Sequence, residues 1–447
     1  MLNFQRHSSY FILLTSYLLL ASCSIQKQIS RSAKEDVLSN KALTTAHVGI
    51  SIFDPSANKY LYNYQGDKYF VPASNTKLPT CYAAMKYLGD SLVSFYVKDT
   101  ADEFLIIPAG DPTFLHPEFL NQRFFYQLKS IKKQIVVLYH TKSNVSEYGS
   151  GWSWDDYQEP YLAERAEMPI YGNVIHFERV GEKLIVTPPI LKRPFFDEPM
   201  MQLIGLGEKF KVTRNRDENK FRFWKSEAVF NKQDIPFKTF GLSSGTVNFL
   251  ADTLGKHIPD DLTWSLTNNS IDFIPFHSQP TDSLLKPMMH RSDNFFAEQS
   301  LLMVSNEMLG VMNDEKIIDT LLKTDFKDLP QKPRWVDGSG LSRYNLFTPQ
   351  DFVAILNKMK NEFGMERIKV ILPTGGEGTI SNYYKEDSGF IYAKTGTLSG
   401  VVAFSGFLYT KKGKLLIFST LVNNHNSSAT EIRKAVEKFL QGIRNSF

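Results

Sequence analysis

The sequence holds only two cysteines, Cys23 and Cys81, in 447 residues, so at most one intrachain disulfide is possible. The nine histidines contain no His-Glu-x-x-His or similar ligand spacing, so neither a metal nor any other cofactor is expected. There is no Gly-x-Ser-x-Gly elbow, which weakens an α/β-hydrolase reading. There is no Gly-x-x-x-x-Gly-Lys loop to cradle phosphates. Gly375-Gly376-Glu377-Gly378-Thr379 is glycine-rich but follows Leu372-Pro373, and reads as a turn. No basic run stands out and the net charge is only +4, so nucleic acid is not an expected partner. Repeats and low-complexity segments are absent too. What remains is an ordinary globular composition, 42% hydrophobic and 22% charged, long enough for two or three domains.

The one notable apolar run, Tyr10 to Leu20, follows Arg6 and His7 and ends in Leu20-Ala21-Ser22-Cys23. It is too short and wrongly flanked for a stable membrane span, and reads as an export signal. Its end resembles a bacterial lipoprotein box. The expectation is an exported, periplasmic protein lipidated at Cys23 and held to a membrane by that anchor; the alternative is an ordinary secretory signal. Acylation of Cys23 leaves Cys81 without a disulfide partner. Cys81 falls one turn past Lys77 and reads as a small buried residue rather than a second nucleophile.

Three short motifs occur in order: Ser74-Asn75-Thr76-Lys77, Ser292-Asp293-Asn294 and Lys394-Thr395-Gly396-Thr397. Ser-x-x-Lys alone is common. Ser24/Lys27, Ser56/Lys59, Ser130/Lys133 and Ser283/Lys286 share the spacing. Context separates them. Ser56 lies in the turn Asp54-Pro55-Ser56-Ala57-Asn58. Ser74 opens a helix: Pro72 precedes it, and Leu78, Tyr82, Met85 and Leu88 recur at helical spacing. Residues three apart share a helix face, which sets the Lys77 amine beside the Ser74 hydroxyl. Ser56-Ala57-Asn58 and Tyr171-Gly172-Asn173 imitate the second motif, but only Ser292 leads into a helical pattern. Lys-Thr-Gly occurs once, between strand-like runs.

Residues 24–45 read as a polar tether leading into a first helix. Residues 47–54 and 60–65 alternate as paired strands. Residues 390–397, 401–409 and 414–422 read as three more, the last two joined at Lys411-Lys412-Gly413, and 429–442 as an amphipathic helix. Strands from both ends of the chain imply one sheet packed between helices, with the middle inserted, because the stretch from Ser74 to Ser292 is too long for a loop. The expected division is a signal segment at 1–23, a first catalytic part at 24–94, an inserted, mainly β module at 95–240, and a second catalytic part at 241–447.

The chemistry of such a trio is acyl transfer. A free serine hydroxyl is a poor nucleophile, and Lys77 can take its proton only when neutral. Burial and a nearby second cation, here Lys394, both favour the neutral amine. Ser292 suits a proton relay toward the leaving amine, and Asn294 an amide that orients substrate and Lys77. Thr395 and Thr397 hydroxyls, with Lys394, suit a substrate carboxylate, and Gly396 admits substrate close to the strand. The N–H groups of Ser74 and Thr397 are oxyanion-hole candidates.

The motif trio is the signature of penicillin-binding proteins and class A β-lactamases. The wider segments around it resemble the class C low-molecular-mass penicillin-binding proteins, which are D-alanyl-D-alanine carboxypeptidases/endopeptidases. Further matches are Gly110-Asp111-Pro112-Thr113, Gly151-Trp152-Ser153-Trp154-Asp155-Asp156, His277-Ser278-Gln279-Pro280, Asp337-Gly338-Ser339-Gly340-Leu341-Ser342 and Leu372-Pro373-Thr374-Gly375. The resemblance implies the serine acyl-transferase α/β fold, with an antiparallel five-stranded sheet between helices and a large insertion. It implies peptidoglycan stem peptides and β-lactams as partners, and Ser74, Lys77, Ser292, Asn294 and Lys394 as catalytic residues. Two other readings stand beside it: a β-lactamase or esterase on the same fold, and a non-catalytic peptidoglycan-binding lipoprotein. Residues 322–334 carry no glutamate, which lowers the class A β-lactamase reading. A scaffold has no need of the three intact motifs.

Overall fold

The computed structural model describes residues 26–139, 145–180, 183–188, 201–207, 209–225, 232–239, 244–259 and 272–446. They fall into two compact units. The first holds the described chain up to Leu78, Asp328–Trp335, and Tyr344 onward; the second holds Pro79–Lys327 and Val336–Arg343. Among the described residues no helix is long and apolar enough to cross a membrane.

The first unit is built on a five-stranded antiparallel sheet. Its strand order is Ile391–Leu398, Val401–Tyr409, Leu415–Asn423, His47–Asp54, Lys59–Tyr64. Three strands thus come from the end of the chain and two from the beginning. Apolar residues on one face (Val48, Ile50, Ile391, Ala393, Phe404, Phe418) form a core with Ile432, Val436, Phe439 and Leu440 of the C-terminal helix Ala429–Ser446. The other face receives the helix Pro349–Ile371. There a Cβ on Gly49 would stand 2.6 Å from the Phe70 ring and 2.8 Å from Pro349, so glycine is what lets the layers close. The sheet between helices is thus observed.

Residues 26–38 differ from the expected tether. They are helical, with Ala33–Leu38 wound as a π-helix. Ile29, Ala33 and Val37 lie at 0–1% exposure in the same core. Their i, i+4 spacing makes one apolar stripe in an otherwise polar segment.

The second unit carries three smaller sheets. One has the order Ile274–Pro280, Ser91–Asp99, Glu103–Pro108, Gln134–Val137. Ser91–Asp99 runs across residue 95, where the sequence places the start of the inserted module. Its partner Ile274–Pro280 lies beyond residue 240. The two three-stranded sheets are Met201–Leu206, Phe221–Lys225, Lys211–Arg214, and Gln233–Pro236, Val174–Val180, Lys183–Thr187. Phe95, Phe114 and Phe124 pack as an aromatic cluster at ring separations of 4.4–6.1 Å. The helices Thr281–His290, Asn294–Leu309 and Asp314–Lys323 complete the unit.

Candidate active site

At Ala73–Thr76, in the first unit, a short 3-10 turn runs straight into the helix Lys77–Tyr87, whose residues from Pro79 on belong to the second unit. Leu78, Tyr82, Met85 and Leu88 are all buried, as the spacing requires. Ala73 holds φ at +46°, a left-handed backbone that non-glycine residues adopt at a cost. The next residue is Ser74. The Lys77 amine donates to Ser74 Oγ at 3.0 Å. Lys77 is fully buried while Ser74 is half-buried, so the hydroxyl is accessible and its activator is shielded.

A polar row under the sheet holds this turn. Lys394, Ser405, Ser419 and Ser51 stand opposite one another across four strands, so their side chains share a face. Asn75 Nδ2 donates to Ser405 Oγ at 2.6 Å, and Ser405 Oγ shares a hydrogen bond with Ser419 Oγ at 2.8 Å. Lys394 is fully buried, and its amine donates to the Thr395 carbonyl at 2.7 Å. Burial first, and then the charge of Lys77, pull the Lys394 ammonium well below the usual lysine range.

Strand alternation sends Thr395 and Thr397 to the opposite face from Lys394. Thr395 Oγ1 donates to Thr379 Oγ1 at 2.7 Å, and Thr397 Oγ1 accepts from Arg433 Nη2 at 2.5 Å. The two threonine hydroxyls and the lysine therefore do not converge from one side. The backbone of this edge strand is ordered by its neighbours. Ala393 N–H donates outward to Pro373 O at 3.1 Å. By alternation the N–H groups of Thr395 and Thr397 point to the same outer edge, where an oxyanion-hole donor would have to be.

Gly396 is fixed by contact. A Cβ there would stand 2.6 Å from the Pro72 carbonyl oxygen and 3.0 Å from Ser74 N. Gly396→Ala should displace the nucleophile turn by a few tenths of an ångström or more. Penicillin acylation should slow at least about thirtyfold, since a misplacement near 1 Å costs about 10²-fold. Folding should be retained at a cost of about 1–3 kcal/mol. Stopped-time mass spectrometry beside a thermal melt checks both; unchanged acylation would mean the strand and turn separate without consequence.

Ser292 and Asn294 belong to the second unit. Ser292 holds φ at +64°, just before the helix Asn294–Leu309. Asp293 caps that helix by accepting from Phe296 N–H at 3.0 Å. Asn294 Nδ2 donates to the Tyr161 carbonyl at 3.1 Å. Behind this first turn lies a buried ionic network. Glu298 accepts from Ser339 N–H at 2.7 Å and faces Arg165 at 3.4 Å, and Arg165 also pairs with Asp314 at 2.5 Å. Burial and the neighbouring Asp337 push the Glu298 carboxyl up to about 7. Asp337 accepts from Trp152 Nε1 at 2.9 Å, Gly340 N–H at 2.8 Å and Ser342 N–H at 2.6 Å. The Gly-Trp-Ser-Trp and Asp-Gly-Ser-Gly segments thus shape the support of this helix.

The decoy motifs are explained locally. Ser56 Oγ donates to Asp54 at 2.6 Å within its turn. Ser283 and Lys286 are exposed on Thr281–His290. Asn173 is buried, donating to the Glu164 carbonyl at 2.8 Å and accepting from Ile170 N–H at 3.0 Å. Cys81 is fully buried. Cys23 lies outside the described residues. Sequence reasoning missed Asn75, Ser405 and Ser419. For the two strand residues the signal was a serine at the same depth in each of several otherwise apolar strands.

A lysine-bonded serine at a helix start, beside a five-stranded antiparallel sheet, is the arrangement of a lysine-activated serine acyl-transfer enzyme. The chain belongs to the D-Ala-D-Ala carboxypeptidase 3 (S13) family, whose model matches residues 31–443, and so to the class C low-molecular-mass penicillin-binding proteins. It is 24% identical to D-alanyl-D-alanine carboxypeptidase DacB of Haemophilus influenzae, over 99% of this chain and 98% of that protein. It is 29% identical to penicillin-sensitive carboxypeptidase A of Dictyostelium discoideum, over 87% and 85%. The crystal structure of penicillin binding protein 4 from H. influenzae superposes with a TM-score of 0.69 at 21% identity, covering 94% of this chain and 98% of that one. That likeness establishes the fold.

Proposed function

We propose that this protein hydrolyses D-alanyl-D-alanine ends and cross-links of peptidoglycan stem peptides through an acyl-enzyme on Ser74, and that β-lactams acylate the same serine. The observation that carries the reading is the buried Lys77 amine 3.0 Å from the accessible Ser74 hydroxyl. Family membership and carboxypeptidase relatives of nearly equal length support it.

Ser74 Oγ attacks the carbonyl carbon as its proton passes to the Lys77 amine. The oxyanion is met by the N–H groups of Ser74 and Thr397. The C–N bond then breaks, and the leaving amine takes the proton. Water hydrolyses the ester by the reverse relay. Ser292 serves as the proton relay and Asn294 as the orienting amide, a role that rests on the motif order. Gly396 and the threonines beside it bind substrate. The purified chain should release D-alanine from a peptide ending in D-Ala-D-Ala and gain one penicilloyl mass from benzylpenicillin. Rapid penicillin turnover without D-alanine release would make it a β-lactamase. Neither activity would leave a binding lipoprotein.

Export to the periplasm and lipidation at Cys23 belong to the same reading, supported by Leu20-Ala21-Ser22-Cys23 after an apolar run. Two or more acyl chains give a stable anchor. Cys23→Ser should abolish lipid labelling and move the protein from the membrane to the soluble fraction. Unchanged fractionation with membranes would refute the anchor.

A further inference from the structure

The helical segment 26–38 is part of the body of the first unit, not a lead to it. Ile29, Ala33 and Val37 sit in the core that the C-terminal helix Ala429–Ser446 shares. The two segments run antiparallel: Gln28 donates to Ser446 Oγ at 2.7 Å, and Asp36 pairs with Lys438 at 2.9 Å. Only Ser24 and Ile25 separate Cys23 from Gln26. Three residue steps span at most about 11 Å. A lipid on Cys23 therefore fixes the start of this segment next to the headgroup layer.

The exposed side of the segment is basic. Lys27, Ser30, Arg31 and Lys34 follow at i, i+3, i+4 and i+7, so they share a face, and all four are exposed. Arg31 pairs with Glu35 at 2.8 Å. Among the described residues Lys27 and Lys34 form no ion pair. Lys434 and Lys438 add exposed cations one turn apart on the C-terminal helix. Glu431 is exposed as well, but at the end of that helix away from Gln28.

We propose that this face docks on anionic phospholipid headgroups beside the Cys23 anchor, through Lys27, Arg31 and Lys34, and holds the first unit flat against the bilayer. This rests on the lipoprotein reading above. The short link brings the cations within the range of about 8–10 Å over which exposed charges act at physiological salt. Each Lys or Arg near such a surface strengthens binding about fivefold. The acyl chains set how long the protein stays; the basic face sets which way it lies.

The test uses the lipidated protein in vesicles of phosphatidylcholine, alone or mixed with phosphatidylglycerol, with a quencher on a trace of headgroups. A fluorophore is placed at Ser30→Cys or, for comparison, at Asn361→Cys. Asn361 is exposed on the helix Pro349–Ile371, across the sheet, and Cys81 is buried. The Ser30 label should be quenched strongly with phosphatidylglycerol and weakly without it, and the Asn361 label weakly in both. Replacing Lys27, Arg31 and Lys34 together by Gln should lower the docked-to-undocked ratio about tenfold or more, since three cations at about fivefold each are lost. High salt should do the same, and D-alanine release from a soluble peptide should be unchanged. Equal quenching at the two labels, or quenching at Ser30 indifferent to phosphatidylglycerol, salt and the triple substitution, would overturn the proposal. If mass spectrometry finds no lipid on Cys23, the anchor reading alone fails. Co-sedimentation of that unlipidated protein with the same vesicles then decides: binding that needs phosphatidylglycerol and the three cations supports the docking face, and its absence overturns it.

Discussion

Ser74→Ala protein incubated with benzylpenicillin should keep its original mass while the parent gains one penicilloyl group, and D-alanine release should fall by about 10⁴-fold or more. Removing a covalent nucleophile from a unit that acts together costs nearly the whole chemical acceleration. The loss should not reflect unfolding. Ser74 is half-buried, its side chain is small, and its hydroxyl accepts from Lys77; deleting one oxygen leaves the Asn75–Ser405–Ser419 support intact. Far-UV dichroism and the thermal midpoint of the variant should match the parent closely. Persistent penicilloyl mass in Ser74→Ala would mean another serine is acylated. Peptide mapping would then turn first to Ser56 and Ser283, although Ser56 is bonded to Asp54 and Ser283 sits on an exposed helix face.

Elements written by local pattern were legible. The strand at 47–54 and the three C-terminal strands fall within a residue or so of their expected limits, because each is a β-rich run closed by a turn signal. The nucleophile helix was legible from its apolar spacing. What failed to show was what depends on long-range pairing. Residues 24–45 looked polar because the buried side chains of the helical part, Ile29, Ala33 and Val37, are spread thinly along one stripe, with Leu43 alone beyond it. Ser91–Asp99 gave no sign that its partner lies at Ile274–Pro280. Within the site, motif spacing put Ser74 and Lys77 together because a helix turn fixes that distance. It grouped Thr395 and Thr397 with Lys394 by adjacency in sequence, whereas a strand alternates its faces and the structure parts them. The collision that fixes Gly396 depends on the Pro72 carbonyl, which no local pattern reports.

Lys394→Met should lower kcat/KM about 10²-fold at pH 7, with the deficit narrowing to about tenfold or less near pH 10. The side chain faces the nucleophile turn, and the two buried amines repel each other's charge across that face, so wherever Lys394 holds its proton it favours a neutral Lys77. For Lys77 to take the Ser74 proton its amine must be neutral. A like charge nearby favours that state, and each unit of displacement is a factor of ten in the fraction available. Without the second amine, Lys77 should hold its proton to higher pH, so the acidic limb of the kcat/KM profile should move in the basic direction. The same substitution should change stability with a defined sign. The Lys394 ammonium is held well below the usual lysine range. Between that depressed value and about 10.4, the unfolded chain binds a proton that the folded chain does not. Parent stability should therefore rise with pH through this window and fall as the solution is acidified. Methionine removes both the buried amine and that slope. Urea midpoints at pH 7 and pH 9 should lie closer together in the variant than in the parent. A loss of activity that is the same at every pH, with the slope of stability unchanged, would make Lys394 only a filler of the space beneath the strand and leave Lys77 to be neutralised by burial alone.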